Sequence, residues 1–207
     1  VGFSPFGMDL LLDGINEKGL ACGGFFLPGY AQYQNEDPSG RVPSLSCLDL
    51  VSWVLGTCAT VEEVRRRLPE LRVVGAPLAA WNAVPPLHYF VADPTGDVLV
   101  VEYLEGNLVL HDGSVGVITN SPDYRWHLTN LRNYIGLRPL NDASVNLQGV
   151  TLSQFGQGSG AVGLPGDFTP PSRFVRAVFL TQAVFPPANA GEGIGTAFHI
   201  LNQFDIP

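Results

Sequence analysis

The stretch Val98-Leu-Val-Val-Glu-Tyr-Leu-Glu-Gly-Asn-Leu-Val-Leu-His-Asp-Gly-Ser-Val-Gly-Val-Ile-Thr119 decides the fold class. Three apolar runs, 98–103, 107–111 and 115–119, are split by the turn pairs Glu105-Gly106 and Asp112-Gly113. Runs this short with turns this tight read as an antiparallel meander. Upstream, 88–92 repeats the pattern and Asp93-Pro-Thr-Gly96 supplies another turn. Farther upstream, 71–74 reads as a strand. So do 8–12 and 20–27, which are joined by the polar turn Asp13-Gly-Ile-Asn-Glu-Lys-Gly19. Between them, 45–55 has helical apolar spacing. Thr60-Val-Glu-Glu63 is a capping box that opens a helix over 61–68.

Downstream of the meander, Asn120-Ser121-Pro122 ends the sheet. A short helix is expected over 124–134, mostly irregular chain over 137–165, and helices near 173–185 and 193–204. The pattern is α+β with an antiparallel sheet, and no domain boundary shows within 1–207.

The 207 residues can bury one sizeable core. Hydrophobic residues make up 45% and charged residues 14%, which argues against disorder. The net charge of −8 opposes nucleic-acid binding. The basic run Arg65-Arg66-Arg67 lies beside Glu62, Glu63 and Glu70 and reads as a solvated helix face. No apolar run is long enough for a membrane span. Cys22, Cys47 and Cys58 form no CxxC motif and lie in apolar surroundings, so they read as buried structural thiols. The eleven-residue spacing of the last two fits one helical stripe. His88, His111, His127 and His199 are scattered, without metal spacing, and read as structural or surface residues. No metal or organic cofactor is implied. Beginning at Val1 and ending at Pro207, the sequence reads as cut at both ends.

Two positions carry candidate chemistry. Asn120 stands where a strand meets Ser-Pro. It is either an Asx turn or a neutral N–H donor held at a rigid sheet end, as an oxyanion site requires. Arg173 follows a glycine loop, 156–166, and a proline-stiffened approach, with Ser172 as the expected helix cap. Its charge opposes the helix dipole, so either a carboxylate or a substrate group compensates. The glycine loop lacks the Lys-Ser/Thr ending of a phosphate cradle.

Taken together, five segments resemble the choloylglycine hydrolases, the family of penicillin V acylases and conjugated bile acid hydrolases. They are Asp13-Gly-Ile-Asn-Glu-Lys-Gly-Leu-Ala21, Leu27-Pro-Gly-Tyr-Ala31, Val117-Ile-Thr-Asn-Ser-Pro122, Asn130-Leu-Arg-Asn-Tyr134 and Leu164-Pro-Gly-Asp with Ser172-Arg-Phe-Val-Arg176. The resemblance implies an N-terminal nucleophile hydrolase with an αββα sandwich of two antiparallel sheets. It implies a cysteine nucleophile whose own α-amine serves as base. Asn120 matches the side-chain oxyanion donor, Phe26 the backbone donor and Arg173 the arginine that supports the cysteine. Ala80, Trp81 and Leu87, in the loop 75–87, fall where relatives line the acyl pocket. The substrate implied is a small N-acyl amide, and the implied assembly of the parent protein is a homotetramer with contacts from 137–165.

The departures from the family pattern are specific. Position 1 is Val, none of the three cysteines matches the nucleophile, and the early Arg and Asp are absent. Phe26 replaces the usual Asn or Tyr. The expectation is therefore an internal piece of a linear-amide hydrolase, inactive alone. The alternative is a protein of the same fold that binds amphipathic ligands without turnover.

Overall fold

The computed structural model describes residues 1–5, 10–112 and 114–205. Part of the strand expected over 8–12, and Gly113 of the Asp112-Gly113 turn, lie outside the described residues. The chain divides into two compact units, Val1–Tyr124 and Arg125–Pro207.

In the first unit the strands are β1 (Gly2–Phe3), β2 (Asp13–Ile15), β3 (Ala21–Phe26), β4 (Ser44–Ser46), β5 (Arg72–Val74), β6 (Leu87–Ala92), β7 (Val98–Leu104) and β8 (Asn107–His111). The helices are α1 (Leu50–Thr57) and α2 (Val61–Arg67). Six strands form one sheet in the order β1-β2-β3-β6-β7-β8, and every neighbouring pair is antiparallel. The expected class of α+β with antiparallel sheets is what the chain adopts.

Alternation along the strands sends residues to opposite faces. Leu87, Tyr89 and Val91 of β6 join Leu99, Val101 and Tyr103 of β7 in a core with Leu50, Val51 and Val54 of α1 and Val61 and Val64 of α2. Cys22, Cys47 and Cys58 are buried in that same core. The last two are not on a helical stripe, because Cys47 precedes α1 and Cys58 caps its end. The helix expected over 45–55 starts later, at Leu50, because Ser44–Ser46 pairs in parallel with Arg72–Val74.

The first strand also differs from expectation. Asp13–Ile15, expected in the turn, pairs with Ala21–Gly23. Asn16 makes the shorter turn possible, since its Oδ1 accepts from the Lys18 and Leu20 amides while Gly19 takes φ +80°. Its Nδ2 donates to the carbonyls of Leu55 and Cys58 and so satisfies the C-terminal end of α1. The capping box holds, with the Glu63 amide donating to Thr60 Oγ1 at 3.2 Å. Glu63 reaches back to the Ala59 amide, one residue before the one expected. At the β7–β8 turn, Glu105 and Gly106 both take positive φ, the geometry of a two-residue hairpin.

Residues 115–119, expected as a strand, do not enter the sheet. The Val115 amide donates to Tyr124 Oη and the Gly116 amide to Ser114 Oγ, and Gly116 has φ +75°. Side-chain partners thus take donors that a ladder would need.

Helix α3 (Tyr124–Leu131) begins at the boundary between the units. In the second unit, β9 (Val145–Leu147) and β10 (Val150–Leu152) form a hairpin within the segment expected to be irregular. Helices α4 (Pro170–Ala183) and α5 (Ala190–Leu201) follow. The cap of α4 is Thr169, not Ser172. Pro170 and Pro171 fill the first helical positions, where a fixed φ is compatible and no N–H is needed. His127 of α3 stacks on Phe174 of α4 with ring centroids 4.6 Å apart, and both are buried.

Candidate active site at the end of the central sheet

Phe26 is the last residue of β3, and its partner across the sheet is Leu87. The Leu27 amide donates to the Pro86 carbonyl at 2.8 Å. Phe26 and Leu87 are therefore a non-hydrogen-bonded pair, and the Phe26 N–H and C=O point away from β6. On that side Asn120 Nδ2 donates to the Phe26 carbonyl at 2.9 Å. Next to it, Ser121 Oγ donates to the Pro28 carbonyl at 2.7 Å. The Asn120 amide and the Phe26 backbone N–H thus share one edge of β3. Two residues 94 positions apart in sequence meet there.

The Phe26 ring packs on Trp81 with centroids 5.6 Å apart. Both rings are well exposed, at 40% and 44%. Trp81 rides on a turn in which the Leu78 amide donates to the Ala83 carbonyl and Asn82 takes φ +47°. Ala80 is exposed on the same turn. Leu87 is different. It is buried in the core against the helices, and its amide is held by Tyr33 Oη at 3.0 Å. It packs on the core side of the sheet, where it is 6% exposed.

In the second unit Arg173 is the fourth residue of α4, not the first. Its Nε donates to the Phe168 carbonyl at 3.0 Å. Burial, and then the charge of Arg176, lower its pKa from the ordinary arginine value. Ahead of the helix, Asp167 accepts from Thr169 and Ser172. Its carboxyl is held down at about 2 by the Ser172 and Thr169 hydrogen bonds. The loop and helix start are thus ordered by the proline pair and Asp167 together.

Glu102 and two histidines form a buried polar cluster that the sequence reading missed. His88 in β6 lies directly opposite Glu102 in β7, given that Tyr89 pairs with Val101. His88 Nδ1 is 3.0 Å from Glu102 Oε1, and His111 Nε2 is 2.8 Å from Oε2. The Tyr124 amide also donates to Oε1, at 3.0 Å. His88 Nε2 is 3.1 Å from the carbonyl of Thr119, the residue before Asn120. Glu102 and His88 are essentially inaccessible to solvent. Burial pushes the Glu102 carboxyl up, but hydrogen bonds and charge from His111 and His88 outweigh it and hold the group at about 2. The available signal was a lone glutamate inside the apolar run 98–103, since a glutamate is seldom buried without a partner.

The three cysteines are all buried. Burial, and then Cys58, push the Cys22 thiol up to about 12, and burial raises Cys47 as well. Cys22 and Cys47 therefore lack the lowered pKa of an activated thiol. No helix among the described residues is long and apolar enough to cross a membrane.

The model of a family described as linear amide C–N hydrolases, choloylglycine hydrolase family, matches residues 1–207. A bile salt hydrolase/transferase from Clostridium perfringens is 40% identical over 191 residues, which are 92% of this chain and 58% of that protein. A crystal structure of a variant conjugated bile acid hydrolase from the same organism is similar with a TM-score of 0.84 and 38% identity, covering 100% of this chain and 62% of that one. Penicillin V acylase from Agrobacterium tumefaciens is similar with a TM-score of 0.73 and 31% identity, over 96% of this chain and 53% of that one. The chain spans roughly three fifths of the curated relative's length.

Proposed function

This chain belongs to the choloylglycine hydrolase family of linear amide C–N hydrolases, and from that premise we propose that the protein containing it hydrolyses amides that join an apolar acyl group to a polar amine. Conjugated bile acids and penicillin V are the substrate classes named by its relatives. The observation that carries the proposal is the convergence of the Asn120 amide and the Phe26 backbone N–H on one edge of β3. Both are neutral donors on a rigid sheet end, the arrangement that stabilises a developing oxyanion.

In the proposed reaction a thiolate attacks the amide carbonyl carbon. A C–S bond forms, and the carbonyl electrons move onto oxygen, opposite Asn120 and Phe26. The C–N bond then breaks, and the amine departs with a proton. Water cleaves the thioester, releasing the acid and restoring the thiol. The burial and raised pKa of Cys22 and Cys47, and the burial of Cys58, support placing the nucleophile outside these three residues. Exposed Phe26 and Trp81, with Ala80 on the same turn, are proposed to contact the acyl group. Arg173 is proposed to support the nucleophile, on the strength of the family resemblance. The parent is proposed to assemble as a homotetramer. The outward apolar residues Val145, Leu147, Val150 and Leu152 of the β9–β10 hairpin favour this, and sedimentation tests it.

The test is hydrolysis of glycocholate and penicillin V by the full-length protein. Asn120→Ala should lower kcat about a hundredfold, the usual scale for an oxyanion donor. A rate unchanged by this substitution removes Asn120 from the mechanism.

A further inference from the structure

We infer that His88, backed by Glu102 and His111, is a positioning residue that fixes the Asn120 amide by gripping the carbonyl of Thr119. The inference rests on the reading of Asn120 as the oxyanion donor and adds the device that aims it.

The segment that carries Asn120 belongs to no helix or strand. Left to its own backbone it would not hold an amide to the fraction of an ångström that a transition state needs. Three bonds stitch it to the sheet. Asn120 and Ser121 bond the carbonyls of Phe26 and Pro28 at the end of β3. His88 bonds the Thr119 carbonyl from β6, at 3.1 Å. The first two attach the segment at its surface. The third is buried and anchors it from within the sheet.

The protons follow from the partners. A carbonyl only accepts, so His88 Nε2 must donate to Thr119. Nδ1 faces a carboxylate that already accepts from the Tyr124 amide and from His111. The ring is held in one orientation by oxygen partners at both of its nitrogens. Glu102 is itself fixed by three partners, from β6, β8 and the first residue of α3. Tyr124 closes the loop by accepting from the Val115 amide, so the segment is tied at its far end by the same group of residues. A buried polar cluster is an expensive way to pack a sheet interior, where apolar residues are as stable or more so. Its use here is orientation.

The test is a double-mutant cycle in the full-length protein, with kcat and KM measured separately on whichever amide substrate it hydrolyses. His88→Leu should lower kcat about ten- to a hundredfold, approaching the cost of losing an oxyanion donor, while KM moves less than about threefold. In the Asn120→Ala background the same substitution should cost less than about twofold, because the group it aims is gone. His88→Gln, which keeps an N–H in reach of Thr119, should restore kcat several-fold over His88→Leu. If His88→Leu does not fold, Glu102→Gln keeps the shape of the cluster and enters the same cycle. A full kcat penalty that persists in the Asn120→Ala background overturns the inference while leaving the oxyanion reading intact. Full activity of Asn120→Ala alone overturns the oxyanion reading and this inference with it.

Discussion

Replacing Glu102 with Gln should change how stability depends on acid, by an amount the structure sets. Glu102 is buried between His88 and His111, and its carboxyl is held at about 2 against an ordinary value of 4.5. In the unfolded chain the group takes up a proton as pH falls through about 4.5, whereas in the fold it stays ionised down to about 2. Each step down in that window therefore favours the unfolded state. The stabilisation from Glu102 is fully present above about pH 4.5 and is used up below about pH 2. The gap between 4.5 and about 2 corresponds to about 3 kcal/mol. Gln has no such proton. Near pH 6 the wild type should be the more stable protein. As pH falls to about 2, the stability difference from Glu102→Gln should shrink by about 3 kcal/mol. Urea unfolding followed by tryptophan fluorescence at constant ionic strength measures both curves. A difference that stays constant between about pH 5 and pH 2 would refute the assignment of Glu102 as an ionised, histidine-held carboxylate.

Other consequences are simpler to state. Gly160→Ala would place a Cβ 2.0 Å from the Leu140 carbonyl and 2.5 Å from that of Arg138, so the loop must open. The bond from the Arg138 amide to the Gly160 carbonyl should be lost, at a cost of about 1–3 kcal/mol, read as a lowered melting temperature and faster amide exchange at Arg138. Thr60→Ala removes the cap of α2 and should cost about 1 kcal/mol in urea unfolding. Cys22 should resist iodoacetamide at neutral pH in the folded protein and react promptly in concentrated guanidinium, because burial suppresses its thiolate. Labelling of the native protein at the rate of a free thiol would contradict that burial.

Local chemistry made several features legible. The Thr60-Glu63 box, the Glu105-Gly106 hairpin and the strands of 20–27, 88–92 and 98–103 depend largely on neighbours within a few residues, and all formed within a residue of where expected. Misplaced boundaries had nonlocal causes. Asp13–Ile15 became a strand because Ala21–Gly23 accepted it. Ser44–Ser46 left its helix because Arg72–Val74 was beside it. Residues 115–119 are the exception, because the groups that take the Val115 and Gly116 amides, Tyr124 and Ser114, are near in the chain.

The candidate site divides in the same way. Asn120 and Arg173 were visible as residue types out of keeping with bland surroundings, and their order along the chain carried the resemblance to a hydrolase family. Sequence alone thus determined the class of fold, the family and the candidate donors, since these follow from local patterns and their order. Only the tertiary structure decided that Asn120 reaches Phe26, that Leu87 faces the core and that His88 meets Glu102. Those facts depend on strand register, and register is fixed by pairing between residues far apart in the chain. A shift of one residue would turn His88 and Glu102 to the opposite face, and no local pattern in the sequence specifies which way they point.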